Sequence, residues 1–213
     1  MSESPLKYAL PARMASVVLH PVFIPALLMA FLVYVYPPIH HTLAVREQNL
    51  WLLMVAYTSI LFPIVTVVLL WRLKFVESIQ LKGQKERYGP LMASMLFYFW
   101  MFWVFHKQFS APLEIQGLLF AVFLSNVLVF MATIFYKISM HTAGWATAVV
   151  LLAYWTMKNT TAFPLLLLAV VLAGMVGSIR FYLQAHSSKQ IYVGYVVGAI
   201  AALLAILIVP LIP

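Results

Sequence analysis

The sequence predicts an all-α, polytopic bundle of about seven transmembrane helices, six if the third is interfacial. Three observations carry this. Of 213 residues, 65% are hydrophobic and only 8% charged, against the ~25% charged that a water-soluble chain carries, and mean hydropathy is +1.00. The charges leave seven charge-free stretches, 14–45, 48–71, 88–106, 115–136, 138–157, 159–179 and 190–213, each near or beyond the ~20 residues a helix needs to cross a hydrocarbon core. Backbone N–H and C=O groups cannot stay unpaired in lipid, so each stretch is expected to be helical.

The first span, with its core near 16–36, contains Pro21 and Pro25 and is expected to bend there. The second, near 50–71, is a plain apolar run. In the third, near 91–106, the aromatic group Phe97-Tyr98-Phe99-Trp100 and Trp103 also suits an interfacial helix. The remaining spans are read near 115–136, 142–157, 163–180 and 190–211. The segment 1–14 is too short for a domain, and the apolar run after it is too long for a cleavable signal. Loops are short and no internal repeat is visible, so residues 1–213 read as one membrane domain. The missing repeat also counts against an inverted-repeat transporter.

Composition excludes several chemistries. With no Cys there are no disulfides, thiol nucleophiles, iron–sulfur clusters or Cys-type zinc sites. No Asp occurs; the acids are Glu3, Glu47, Glu77, Glu86 and Glu114. The net charge of +8 reads as loop asymmetry and phosphate contacts, not as a nucleic-acid surface. An odd number of spans sorts the loops onto two sides. One side holds Lys7, Arg13, Arg72, Lys74, Lys82, Lys85, Arg87, Lys137, Arg180 and Lys189, and the other only Arg46, Lys107 and Lys158. The positive-inside rule makes the first side cytoplasmic, in what reads as a bacterial inner membrane.

Three polar clusters share that side. Lys82-Gly83-Gln84-Lys85-Glu86-Arg87-Tyr88-Gly89-Pro90 precedes the third span; alone it reads as a positive-inside loop. Lys137-Ile138-Ser139-Met140-His141-Thr142 opens the fifth span, with Ser139 as a natural N-cap at a helix start that favours anions. Arg180-Phe181-Tyr182-Leu183-Gln184-Ala185-His186, followed by Gln190, closes the sixth and opens the seventh. His186 and Gln190 lie four apart, within hydrogen-bonding reach on a helix, and Gly194 and Gly198 form a close-packing pair. His20 is read as facing the bundle. His40, His41 and His106 fall at the opposite side as interfacial residues, and no metal site is read there.

These clusters resemble the three motifs of the type 2 phosphatidic acid phosphatase superfamily, membrane lipid phosphatases related to vanadium haloperoxidases. That family's pattern is Lys-x6-Arg-Pro, then Pro-Ser-Gly-His, then Ser-Arg-x5-His-x3-Asp. Arg180-x5-His186 matches the third spacing, and Ser139-x-His141 keeps the polar pair of the second. The departures are Gln80 in place of the first motif's Lys, Ile138 and Met140 in place of Pro and Gly, Ile179 before Arg180, and Gln190 in place of Asp. The resemblance implies that His186 attacks phosphorus, His141 protonates the leaving alcohol and Gln190 orients His186. Lys82, Lys85, Arg87, Ser139 and Arg180 would hold the phosphate, without a cofactor. Gln190 brings no charge, and in serine proteases the analogous Asp→Asn change costs about 10⁴ in turnover; Glu77 or Glu86 is the carboxylate that could compensate. The implied partners are membrane lipids and a lipid phosphate or polyprenyl diphosphate substrate. The alternatives are a catalytically degenerate relative that binds phospholipid headgroups or supports another membrane protein, and a small transporter.

Overall fold

The computed structural model describes residues 9–79, 81 and 83–213, and among these no strand occurs. Six helical stretches of 23 to 28 residues are long and apolar enough to cross a membrane, so the chain is an integral membrane protein built as an all-α polytopic bundle. The third expected span, Lys85–Lys107, is among the six.

The first traverse is α1 (Ala9–Val18), a 3-10 turn at Pro21–Phe23, and α2 (Ile24–Tyr34). It breaks where Pro21 and Pro25 led us to expect. A residue before proline is driven out of the helical region, and His20 accordingly has φ −66° and ψ 135°, with its ring Nδ1 accepting from the Val22 N–H. After one turn, α3 (Pro37–His40), the second traverse runs as α4 (Val45–Ala56), a π-helical segment at Tyr57–Leu61, and α5 (Phe62–Arg72). Pro63 explains the widened turn, because it has no N–H for the Ser59 carbonyl and its ring crowds that carbonyl.

The rest is more regular: α6 (Tyr88–Lys107), α7 (Leu113–Phe135), α8 (Met140–Lys158), α9 (Phe163–Tyr182) and α10 (Ser188–Ile208). The fifth expected span, α8, is the one traverse outside the apolar six. It carries His141, Thr142, Thr147 and several alanines on buried faces, so it is shielded from lipid by its neighbours and need not be uniformly apolar. It lies parallel to α10 at very short range. A Cβ on Gly194 would strike Thr142 and the Ser139 carbonyl, and one on Gly198 would strike the Ala143 backbone. The Thr142 and Thr147 hydroxyls donate across to the Ile191 and Gly198 carbonyls, each at 3.1 Å. This small-residue contact brings the starts of α8 and α10, and the residues just before them, to the same end of the bundle.

Candidate functional site

At that end the helices enclose a cavity of about 1120 Å³. Its polar end is lined by Arg13, Ser16, His20, Arg87, Lys137, His141, Arg180 and His186, and among the described residues no carboxylate lines it. Deeper walls are mainly apolar, from Leu28, Leu91, Leu118 and Val122 down to Leu151, with a few polar side chains among them. Leu151 lies ten residues beyond His141 on α8, roughly 15 Å along the axis.

Two arginines frame the polar end. Arg87 is 5% exposed and donates from Nε to the Leu81 carbonyl and from Nη1 to the Ile138 carbonyl, both at 3.1 Å. It thereby ties the loop before α6 to the loop before α8. A buried guanidinium needs such acceptors, since desolvating the charge without them is costly. Arg180 donates from Nη1 to the Ser16 hydroxyl at 2.9 Å, and its Nε is buried without a hydrogen-bond partner among the described residues.

His186 is set by the start of α10. Its Nδ1 lies 3.1 Å from Gln190 Oε1, and that same oxygen accepts from the Ser187 N–H at 3.2 Å. In return the Ser187 hydroxyl accepts from the Gln190 N–H, a reciprocal capping box. Because the backbone N–H can only donate, the shared atom is an acceptor, so Nδ1 carries the ring proton and Nε2 keeps its lone pair. Burial first, then the Arg87 and Arg180 charges, push the His186 pKa down to about 4 against the Gln190 hydrogen bond that raises it. The ring is therefore neutral near pH 7. Burial and the same two arginines also hold Lys137 below its ordinary value.

His141 sits in the first turn of α8 with Nε2 3.1 Å from the Ser16 carbonyl. A carbonyl only accepts, which makes Nε2 the protonated nitrogen. The His20 ring packs edge-on against it at 4.8 Å. Ser16 thus meets two functional side chains at once, its hydroxyl taking Arg180 and its carbonyl taking His141.

Of the residues proposed from sequence, Arg87, His141, Arg180 and His186 line one cavity, and Gln190 supports His186. Ser139 is elsewhere. It is wholly buried, its hydroxyl caps α8 by accepting from the Thr142 N–H, and its own N–H donates to the Gln190 carbonyl at 3.2 Å. Its place is that of a cap joining two motifs. Lys85 is exposed in the 3-10 turn Lys85–Arg87 and off the cavity lining, while Lys82 lies outside the described residues. Glu86 does not replace the absent carboxylate, because its two oxygens accept from the Glu77 and Gly83 N–H groups at 2.8 and 2.7 Å.

Sequence reasoning read His20 as facing the bundle but missed that Arg13 and Ser16 of α1 join it at the site. Arg13, Ser16 and His20 recur at spacings of three and four on an otherwise apolar stretch, the signature of one polar helix face, and that signal was available. At the opposite end the His40 and His41 rings pack against each other at a tilt of 59°, and among the described residues no group of three or more His, Cys, Asp or Glu side chains could hold a metal ion. Comparisons with family models, with curated proteins and with solved structures return no match to this chain.

Proposed function

We propose that this protein is a membrane phosphatase of the type 2 phosphatidic acid phosphatase kind, hydrolysing a lipid phosphate or polyprenyl (di)phosphate. The observation that carries the reading is His186, neutral and with its Nε2 lone pair free, held at the polar end of a cavity between Arg87 and Arg180 whose far walls are apolar. Phosphoryl transfer asks for a positioned nucleophile and fixed positive charge around the equatorial oxygens, and an amphiphilic cavity suits a ligand with an anionic head and an apolar tail.

In the proposed reaction His186 Nε2 forms a bond to phosphorus as the bond from phosphorus to the leaving oxygen breaks. That oxygen takes the Nδ1 proton of His141, which enters the step as the imidazolium, its second proton favoured by the negative charge of the bound phosphate and its Nε2–H committed to the Ser16 carbonyl. Water then attacks the phosphohistidine, returning a proton to His141 and releasing phosphate with His186 restored. Arg180, with an unpartnered Nε, and the uncommitted Nη2 of Arg87 hold the phosphate oxygens. The polar end carries the basic loops and so faces the cytoplasm, in a bacterial inner membrane.

A second reading has its own support. Gln190 is neutral where a carboxylate would stabilise charge on His186, and two of the Arg87 donor atoms are already bound to carbonyls. A catalytically degenerate binder of phospholipid headgroups would retain these features. The test is phosphate release by purified protein from phosphatidic acid, phosphatidylglycerol phosphate and polyprenyl diphosphate, beside His186→Ala and Arg180→Ala. Release that falls at least ~10²-fold in both variants supports the phosphatase. Folded protein that binds these lipids but releases nothing supports the binder.

A further inference from the structure

Below the cationic end, the cavity wall turns polar again at mid-depth. Ser94 and Tyr98 of α6, Asn126 of α7 and Thr147 of α8 all line it. Polar groups at membrane depth are costly and tend to mark function. Several have local partners: Ser94 donates to the Pro90 carbonyl at 2.8 Å, and the Thr147 hydroxyl bonds to backbone carbonyls and to Ser125. Two donors are left over. Asn126 spends one N–H of its amide on the Leu91 carbonyl at 3.0 Å, and the second has no partner among the described residues. Tyr98 is only 9% exposed, yet its hydroxyl has no hydrogen-bond partner among the described residues.

We infer that Tyr98 and Asn126 form a second subsite that hydrogen-bonds the carbonyl oxygens of an ester-linked lipid. The inference rests on the cavity's being a lipid-phosphate site and does not depend on hydrolysis. The spacing is suitable. Asn126 bonds to Leu91, four residues beyond Arg87 and so about 6 Å deeper, and Tyr98, about two turns past Leu91 on the same face of α6, leans back toward the polar end, which brings its hydroxyl nearer the level of Asn126 than its Cα is. Ester carbonyls lie a few bonds below the phosphorus of a glycerolipid phosphate. They are pure acceptors, matching two spare donors. A polyprenyl chain has no acceptor at this depth and would leave both donors unpaired, the buried Tyr98 hydroxyl above all, which disfavours it.

The test compares binding, by native mass spectrometry of the detergent-solubilised chain, for three lipids with one phosphate monoester head: a diacylglycerol phosphate, its dialkyl ether counterpart and a polyprenyl phosphate. The expected result is about tenfold tighter binding of the diester than of either other lipid. Tyr98→Phe and Asn126→Leu should each shrink that preference while leaving ether affinity unchanged. Equal affinity for ester and ether in the unaltered protein, or a preference that survives both substitutions, overturns the subsite. Tyr98→Phe removes only an unpartnered oxygen and decides the matter alone if Asn126→Leu does not fold. Binding of none of the lipids overturns the lipid-phosphate site as well, whereas binding with the ester preference but without phosphate release overturns hydrolysis and leaves the subsite supported.

Discussion

The helix α8 and the α4–α5 traverse occupy opposite roles in this bundle, and their sequences invert the rule for soluble proteins. Val45–Arg72 is long and strongly apolar, yet only 11% of its apolar segment is buried inside the protein, and α5 has no buried residue at all. The helix α8 has a histidine, several threonines and a glycine, yet most of its length is buried, from His141 through Trp155. In lipid the solvent is itself apolar, so hydrophobicity does not drive a helix inward. Small side chains that allow close approach, and polar groups that need partners, do. The cavity follows from this sorting, since the helices drawn together at α8 are the ones that carry the polar side chains.

The largest expected effect comes from breaking the contact that holds α8 in place. Gly198→Ala sets a methyl against the Ala143 carbonyl backbone, which has no flexible end to yield. It should destabilise the protein by ~3 kcal/mol, at the upper end of overpacking costs. Gly174→Ala, the same change on α9, meets nothing within 4 Å and should be neutral or mildly stabilising, within ~1 kcal/mol. Thermal unfolding in detergent followed by tryptophan fluorescence checks both. Equal effects at the two glycines would show that α8 is not held by close approach to α10.

The same contrast explains what could be read from sequence. The spans were legible because charge-free runs of membrane length have one solution in lipid, and the break in the first followed from the two prolines. The π-helical segment at Tyr57–Leu61 was not legible, because Pro63 dictates that the helix must adjust without dictating how. In the site, spacing located His186, Gln190 and Arg180, since residues four apart or across one short loop stay close. It offered capping and phosphate binding together for Ser139 without choosing the cap, and it did not reveal that Glu86 is consumed by its own loop, because hydroxyl and carboxylate groups have several local partners and geometry chooses among them. The polar face of α1 could have been seen, but its meeting with Arg180, 164 residues on, is a tertiary fact.

A smaller effect tests the electrostatics of the polar end. The His186 pKa is held near 4, below the ~6.5 of the unfolded chain. A depressed folded value means that the neutral ring's contribution to stability is fully present above about pH 6.5 and is lost as pH falls toward 4, because the unfolded state takes up the proton first. Subtracting the stability-versus-pH curve of His186→Gln from that of the unaltered protein isolates this slope. Gln190→Asp puts a carboxylate on Nδ1 and should raise the His186 pKa by ~1–3 units, flattening the slope; imidazole NMR titration reads it directly. An unchanged titration would mean that residue 190 does not orient His186 in solution. In the phosphatase reading the same variant should also raise turnover.

The smallest expected effect lies at the opposite end of the bundle, where a lysine pairs with a glutamate. Lys158 meets Glu114 at 3.0 Å, with side chains 39% and 15% exposed, and its ammonium also lies 4.7 Å above the Tyr154 ring. Glu114→Gln removes one of these partners and leaves the other. Half-exposed pairs contribute little because solvent already screens them, so stability should change by less than ~1 kcal/mol, and by less still at high salt. A loss of several kcal/mol would show that the ends of α7 and α8 are pinned by charge, and the account of α8 as a helix held by small-residue contact with α10 would then be incomplete.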